Sequence, residues 1–394
     1  MINSILKGKL SSLKAELSLP KQARRALAQD RRPLPEIDHD IDKVIKECID
    51  WLCRAQDNSP NADGGIARHY SLINGWGNSY PETSGYIVPT LLEFSDEYGR
   101  DEIRDRAQRI LDWLVSIQFP EGGFQGGMIG QEPRVPVTFN TGQILIGLAA
   151  GARQWKKYIE PMKLAASWLA EAQDSDGCWR SHPTPFSWPG EKTYETHVSW
   201  GLLEAARVAP GNGYENAAFA NIDWAIKHQT ANGWVRSCCL KDPTAPLTHT
   251  LGYFLRGVIE GYLYAEDPKL LEAANLTAEG LLNAIDEQGY MPGRLDSNWQ
   301  PAVDWACLTG TVQIAHCWLL LNQITGNDEY REAGFRANKY VRRTINVQGS
   351  DNIRGGVKGA FPIDGNYCKY QYPNWAAKFC VDSLMLERRY SSSK

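Results

Sequence analysis

The sequence predicts an all-α fold, an (α/α)6 toroid of six helical hairpins closed into a ring with inner and outer helices. Three observations predict it. A helix carrying an aromatic or leucine beside an apolar residue returns six times, at Trp51-Leu52, Trp113-Leu114, Trp168-Leu169, Trp224-Ala225, Leu281-Leu282 and Tyr340-Val341, in steps of 55 to 62 residues. Each of these helices runs into a glycine-bearing turn. After each turn comes a second helix whose apolar face is much wider than that of the first. No linker or shift in composition divides the chain of 394 residues. Residues 41–394 are therefore expected to form one toroid domain behind a basic helical arm at 1–40.

The first helix of each pair, such as Arg104 to Ser116, keeps charge on one side and is assigned to the outer ring. Four of the turns join a glutamine to glycine and an aromatic or apolar residue. They read Gln56…Gly64-Gly65-Ile66, Gln118…Gly122-Gly123-Phe124, Gln173-Asp174-Ser175-Asp176-Gly177-Cys178-Trp179 and Gln229…Gly233-Trp234. The fifth keeps Gln288-Gly289-Tyr290 and the sixth Arg354-Gly355-Gly356-Val357. Glycine ends a helix by taking the left-handed conformation that other residues avoid. The aromatic then turns back under its helix, and the glutamine amide reaches the exposed helix end of a neighbour. The second helices are predicted to begin near Glu82, Asn140, Glu195, Thr248, Thr309 and Asn374, where Thr, Asn and Ser suit free N–H groups. Runs such as Ile144-Leu145-Ile146-Gly147-Leu148-Ala149-Ala150 are apolar all round and belong to a buried inner ring.

Composition sets outer bounds on function. The chain is 43% hydrophobic and 22% charged, with 14 Trp and 17 Tyr, aromatics that suit contacts shared between protein and ligand. A net charge of −4 gives no electrostatic grip on nucleic acid. No apolar run reaches the roughly 18 residues of a membrane span. The basic N-terminus, with Leu6, Leu10, Leu13 and Leu17, lacks the apolar core and cleavage site of a secretory signal. It reads as a helical arm lying on the ring, with a weak membrane-surface contact as the alternative. Nine cysteines, an odd number without CxxC or Cys/His spacing, fit a reducing cytoplasm and no metal site. No cofactor is implied either, and the oligomeric state is open.

The segment Gln173-x-x-Asp176-Gly177-x-Trp179 resembles the QW motif of squalene and terpenoid cyclases, whose domains are α/α toroids. The repeat pattern that carries this resemblance covers about residues 45–385. The run Gly355-Gly356-Val357-Lys358-Gly359-Ala360-Phe361-Pro362, followed by Tyr372-Pro373-Asn374-Trp375-Ala376-Ala377-Lys378-Phe379, is similar to cyclase-like proteins encoded among polysaccharide biosynthesis genes. The resemblance implies a toroid related to terpenoid cyclases and prenyltransferases, a fold shared with six-hairpin glycosidases, polysaccharide lyases and uronyl epimerases.

The isoprenoid chemistries lack their residues. Class II cyclases carry an Asp-x-Asp-Asp acid, and this chain has no Asp-Asp pair. Asp174-Ser175-Asp176 reads as a helix-end structure, and Asp38-His39-Asp40-Ile41-Asp42 as an acidic helix start. The Asp-rich magnesium site of class I cyclases is missing. Prenyltransferase β chains hold zinc with Asp, Cys and His. Here Asp304 and Cys307 adjoin, but His316 lies nine residues past Cys307 on another helix face.

The mouth defined by the inner-helix starts is polar and aromatic instead, which suits a saccharide. His249, Tyr253 and Arg256 share one helix face at i, i+4 and i+7, while Glu195 and His197 sit at an adjacent helix start. His249, Tyr253 and His197 are candidates for proton transfer, and Glu82, Glu195 and Asp304 are the carboxylates that glycoside hydrolysis would use. Trp76, Asn140, Arg256, Lys358, Asn374, Trp375 and Lys378 are candidates for holding the substrate. The expected function is modification of an oligo- or polysaccharide in a pathway of exopolysaccharide, capsule or O-antigen type. A lyase or epimerase acting on uronic-acid-containing glycan leads, with a glycoside hydrolase close behind. The alternatives are a non-catalytic glycan-binding assembly subunit and a divergent terpenoid cyclase or prenyltransferase.

Overall fold

A computed structural model describes residues 16–392. The first fifteen residues of the expected arm, with Leu6, Leu10 and Leu13, lie outside the described residues. Helix α1 (Lys21–Asp30) is followed by six outer–inner pairs. These are α2 (Ile41–Asp57) with α3 (Pro81–Tyr98), α4 (Asp101–Ile117) with α5 (Thr138–Gln154), and α6 (Ile159–Glu171) with α7 (Thr196–Val208). The ring continues with α8 (Tyr214–Ile226) and α9 (Thr248–Ala265), α10 (Pro268–Leu282) and α11 (Leu308–Thr325), and α12 (Asp328–Arg342) and α13 (Asn374–Ser392). Every inner helix begins within two residues of its predicted start.

The two rings differ as their sequences require. All residues of α5 from Thr138 to Ala152 are buried, whereas α4 buries only Ile103, Ala107, Ile110, Leu111, Trp113 and Leu114. Inner helices meet closely. A Cβ at Gly147 would lie 2.2 Å from the carbonyl oxygen of Gly85 on α3, so a larger residue there would force the two helices apart.

The glutamine turns act as staples. The Gln118 amide donates to the Gly122 carbonyl (2.9 Å) and to that of Pro161 in α6 (3.0 Å). Gln173 does the same to Gly177 (3.1 Å) and to Ala217 in α8 (2.8 Å). Each amide thus grips a carbonyl near the start of the following outer helix. The Trp179 indole turns back under its own helix and donates to the Leu169 carbonyl at 2.9 Å.

Closure joins the two ends of the chain. Helix α13 packs on both α2 and α3. Among the described residues, five short strands lie in the connections: β1 (His69–Ser71), β2 (Gly75–Trp76), β3 (Ala306–Cys307), β4 (Ala360–Phe361) and β5 (Gln371–Pro373). Strand β1 pairs antiparallel with β5, setting Tyr70 opposite Tyr372. The Trp51 indole donates to the Asn352 carbonyl at 2.8 Å. Helix α1 lies against the closed ring: the Lys358 ammonium donates to Asp30 at 2.5 Å, and the Ile363 amide donates to its other oxygen at 3.0 Å. Among the described residues, no helix is long and apolar enough to cross a membrane.

Candidate active site

Between the starts of the inner helices and the loops over them lies a cavity of about 100 Å³. Glu82 and Tyr86 enter it from α3, Phe139 from α5, His249 and Tyr253 from α9, and Trp375 from α13. Tyr194 comes from the turn before α7, and the connections add Arg68, Tyr80, Phe186 and Tyr367.

Pro81 opens α3 and puts Glu82 in its first turn. A helix start ordinarily favours a carboxylate. Here burial outweighs it and pushes the Glu82 carboxyl up to about 7, against the opposing pull of the Tyr80 hydroxyl and Arg68. That hydroxyl donates to Glu82 Oε2 at 2.5 Å.

Across the cavity, His249 Nδ1 lies 2.6 Å from the Gln313 side-chain oxygen on α11. A carboxamide oxygen only accepts, so Nδ1 carries the proton and Nε2 keeps its lone pair. Burial lowers the imidazole to about 4, leaving it a neutral base at ordinary pH. Tyr253, one turn on, lies with its ring centroid 4.4 Å from that of His249 and 4.5 Å from that of His197. His197 is held in the same way, Nδ1 donating to Gln143 at 2.6 Å, and its buried Nε2 has no partner among the described residues. It lies below the cavity, in a void of about 10 Å³ shared with Arg256, Gln313 and His316.

Arg68 is the cation of the mouth. Its guanidinium sits 4.9 Å from the Trp375 ring centroid, with the rings of Tyr80 and Phe186 also within cation–π range. Its side-chain bonds go to Gln371, Cys368 and the His69 ring, and among the described residues it has no ion pair.

Of the residues expected to form the site, Glu82, His249, Tyr253 and Trp375 meet in the cavity. The others lie elsewhere. Glu195 is buried near Lys192 and Cys178, away from the cavity walls, and Asp304 is exposed in the loop before α11. Trp76 packs on Trp51 at the ring closure. Arg256 is paired with Glu260 at 2.7 Å and Lys378 with Asp382 at 2.5 Å, below the mouth. Lys358 binds Asp30 under the arm, and the Asn374 amide donates to the Ala67 carbonyl at 3.1 Å. Asn140 is fully buried, with both side-chain polar atoms unpartnered among the described residues.

Sequence reasoning did not find Arg68, Tyr86, Phe139, Phe186 or Tyr367. Tyr86 had a signal, since it follows Glu82 by four residues and shares its helix face. Arg68, Phe186 and Tyr367 stand on irregular connections, where no periodicity marks direction. Among the described residues, no group of three or more His, Cys, Asp or Glu is placed to hold a metal ion.

Fold and turns together define an (α/α)6 toroid. Residues 78–256 match the squalene-hopene cyclase C-terminal domain. No curated protein matches the sequence. Among solved structures, the chain is similar to an unsaturated glucuronyl hydrolase specific for heparin, with a TM-score of 0.70 and 16% identity over 89% of this chain and 98% of that one. It is similar also to a cellobiose 2-epimerase from Bacillus thermoamylovorans B4167, with a TM-score of 0.69 and 10% identity over 92% and 99% of the two chains. A sugar epimerase from a ruminal bacterium gives 0.71 and 12% over 88% and 98%. At these identities the likeness is one of fold.

Proposed function

We propose that the protein is a glycan-modifying enzyme that moves a proton at a sugar carbon beside a carboxylate, an epimerase or lyase of uronic-acid-containing saccharide. One observation carries the reading. Glu82 and His249, from the first and fourth of six inner helices and so from opposite sides of the ring, face a single cavity. One is an acid poised near neutrality and the other a neutral base, the pairing that proton transfer needs. Arg68, without an ion-pair partner among the described residues, binds the sugar carboxylate.

The chemistry follows from these positions. His249 Nε2 takes the proton at C5, and the electron pair moves into the carboxylate group, where Arg68 stabilises the added charge. Glu82 then returns a proton. Given to the opposite face of C5, it inverts the centre. Given to the oxygen leaving C4, it completes an elimination with a C4–C5 double bond. Hydrolysis by paired carboxylates stands behind both, because Glu82 alone among the expected carboxylates lines the cavity. The fold's likeness to enzymes named as sugar epimerases and a glucuronyl hydrolase supports a saccharide substrate.

A panel of uronate oligosaccharides incubated with the full chain in D₂O tests the reading. Deuterium at C5 marks an epimerase, and the ultraviolet absorbance of an unsaturated product marks a lyase. E82Q and H249A should each lose the signal while keeping the wild-type circular dichroism. New reducing ends with neither signal would overturn it, and binding without any change in the sugar would favour a glycan-binding subunit. A second reading, isoprenoid cyclisation, is favoured by the aromatic walls, the buried acid and the cyclase-domain match. The guanidinium of Arg68 in those walls opposes it by repelling a carbocation.

A further inference from the structure

Helix α1 does not lie flush on the ring. On one side it borders a cleft of about 560 Å³, lined by Arg32, Lys43 and Arg343 among others. On the other it borders a cleft of about 370 Å³, lined by Lys21, Arg25 and the Tyr70–Tyr372 pair. Gln29, Asn346 and Lys358 line both, so the two clefts share walls and stand as neighbouring lobes of a basic passage beside the helix.

The charge of this passage is one-sided. Its carboxylate is Asp30, already bound to Lys358 at 2.5 Å. Lys21, Arg25, Arg32, Lys43 and Arg343 have no ion-pair partner among the described residues. Arg343 spends hydrogen bonds on the carbonyls of Pro35 and Leu34, which tie the arm to the ring. Beside the smaller lobe, Tyr372 is buried and its hydroxyl has no partner among the described residues.

We propose that this passage is a second binding site, for a chain of carboxylated sugars. The combined size suits several linked units rather than one small ion. Unpaired lysines and arginines match repeated carboxylates, while the side-chain amides of Gln29 and Asn346 match sugar hydroxyls. Concavity separates this ligand from a membrane. The cations stand along the walls of two clefts, which a narrow polymer enters and a flat lipid surface does not. The proposal draws on the preceding reading for the type of sugar alone, because binding here is measured without turnover.

Calorimetry on the full chain tests it with an eight-unit oligogalacturonate, a neutral maltooligosaccharide of equal length, inorganic polyphosphate and vesicles containing anionic lipid. The oligogalacturonate should bind, weaken as salt is raised, and outcompete the neutral oligomer. The variant K21Q/R25Q/K43Q, three exposed and unpaired side chains, should lose about tenfold or more in affinity. R24Q, an exposed arginine of α1 that does not line the passage, should bind as wild type. R68A, which strips the mouth of its cation, should also keep the binding. Equal affinity for the neutral oligomer, an unaffected triple variant, or a loss in R68A alone would overturn the site. Binding of polyphosphate or vesicles without oligogalacturonate would overturn the ligand. A failure of the catalytic reading, by contrast, would leave all these affinities in place.

Discussion

Glu82 offers a test of the mouth that needs no substrate. Its carboxyl moves from an ordinary 4.5 to about 7 because burial disfavours the charge. Ionising it in the folded protein therefore costs about 3 kcal/mol more than in the unfolded chain. The sign is fixed by the direction of the shift. The folded state holds the proton more tightly, so this contribution is fully present below 4.5 and is lost as pH rises through about 7. Glu82→Gln keeps the shape and an oxygen to accept from the Tyr80 hydroxyl, but it cannot ionise. The variant should match wild type near pH 4 and exceed it by about 3 kcal/mol near pH 8. His249 works in the opposite sense, since burial lowers it from 6.5 to about 4 and its stability contribution is lost as pH falls through that range. Between 4.5 and 6.5 the two slopes oppose, so the wild-type profile should be flatter than that of either single variant. Urea midpoints for wild type, E82Q and H249Q across this range, read where fluorescence and circular dichroism coincide, give the differences directly. A gap between E82Q and wild type that does not change with pH would refute the reasoning, because Glu82 would then be ionising as freely as in water.

Three further outcomes follow from the same geometry. Gly355→Ala and Gly326→Ala both put an alanine at positive φ (+78° and +73°), but an alanine Cβ at 355 would lie 1.9 Å from the Glu47 carbonyl oxygen while 326 faces open space. The first should cost about 3 kcal/mol and the second about 1, measured by urea unfolding, and equal losses would mean that closure at α2 tolerates displacement. Gln313→Glu should raise the His249 imidazole by placing a carboxylate against Nδ1, and NMR titration of that ring checks it. Gln173→Ala removes two stapling hydrogen bonds and should cost about 1 to 3 kcal/mol while leaving any turnover at the mouth unchanged.

The ring was legible because its signals are local and repeated. Each turn glycine, each amphipathic outer helix and each apolar inner helix is written in one stretch of chain, and all six inner starts fall where those signals end. The same holds for Glu82, His249, Tyr253 and Trp375, which helices aim into the mouth. Most residues expected to hold substrate lie away from the cavity, for two physical reasons. Lys358 is claimed by Asp30, 328 residues away, a contact no local pattern encodes. Arg256 and Lys378 were decodable, since Glu260 and Asp382 stand four residues on and neutralise them along the helix. The cation that does face the cavity, Arg68, stands on an irregular connection whose direction only the folded ring defines.

The turns that identify the fold also bear on the chemistry, though indirectly. At the perimeter, Gln118 and Gln173 grip the next outer helix, and nothing in that grip depends on what the axis of the ring contains. On the inward side, the residue after the turn glycines reaches its own inner helix. The Ile66 amide donates to the Ser84 hydroxyl at 3.1 Å, and the Phe124 amide donates to that of Thr141 at 2.9 Å. In the fourth hairpin the Thr250 hydroxyl donates instead to the Cys238 carbonyl at 2.7 Å. Ser84 follows Glu82 by two residues, and Thr250 follows His249 directly. In these hairpins the connection therefore ties down the first turn of the inner helix, while the residues beside the hydroxyl are free to differ. A match built on such turns is a statement about how the inner helices are held at the axis, and the groups they carry must be read one helix start at a time.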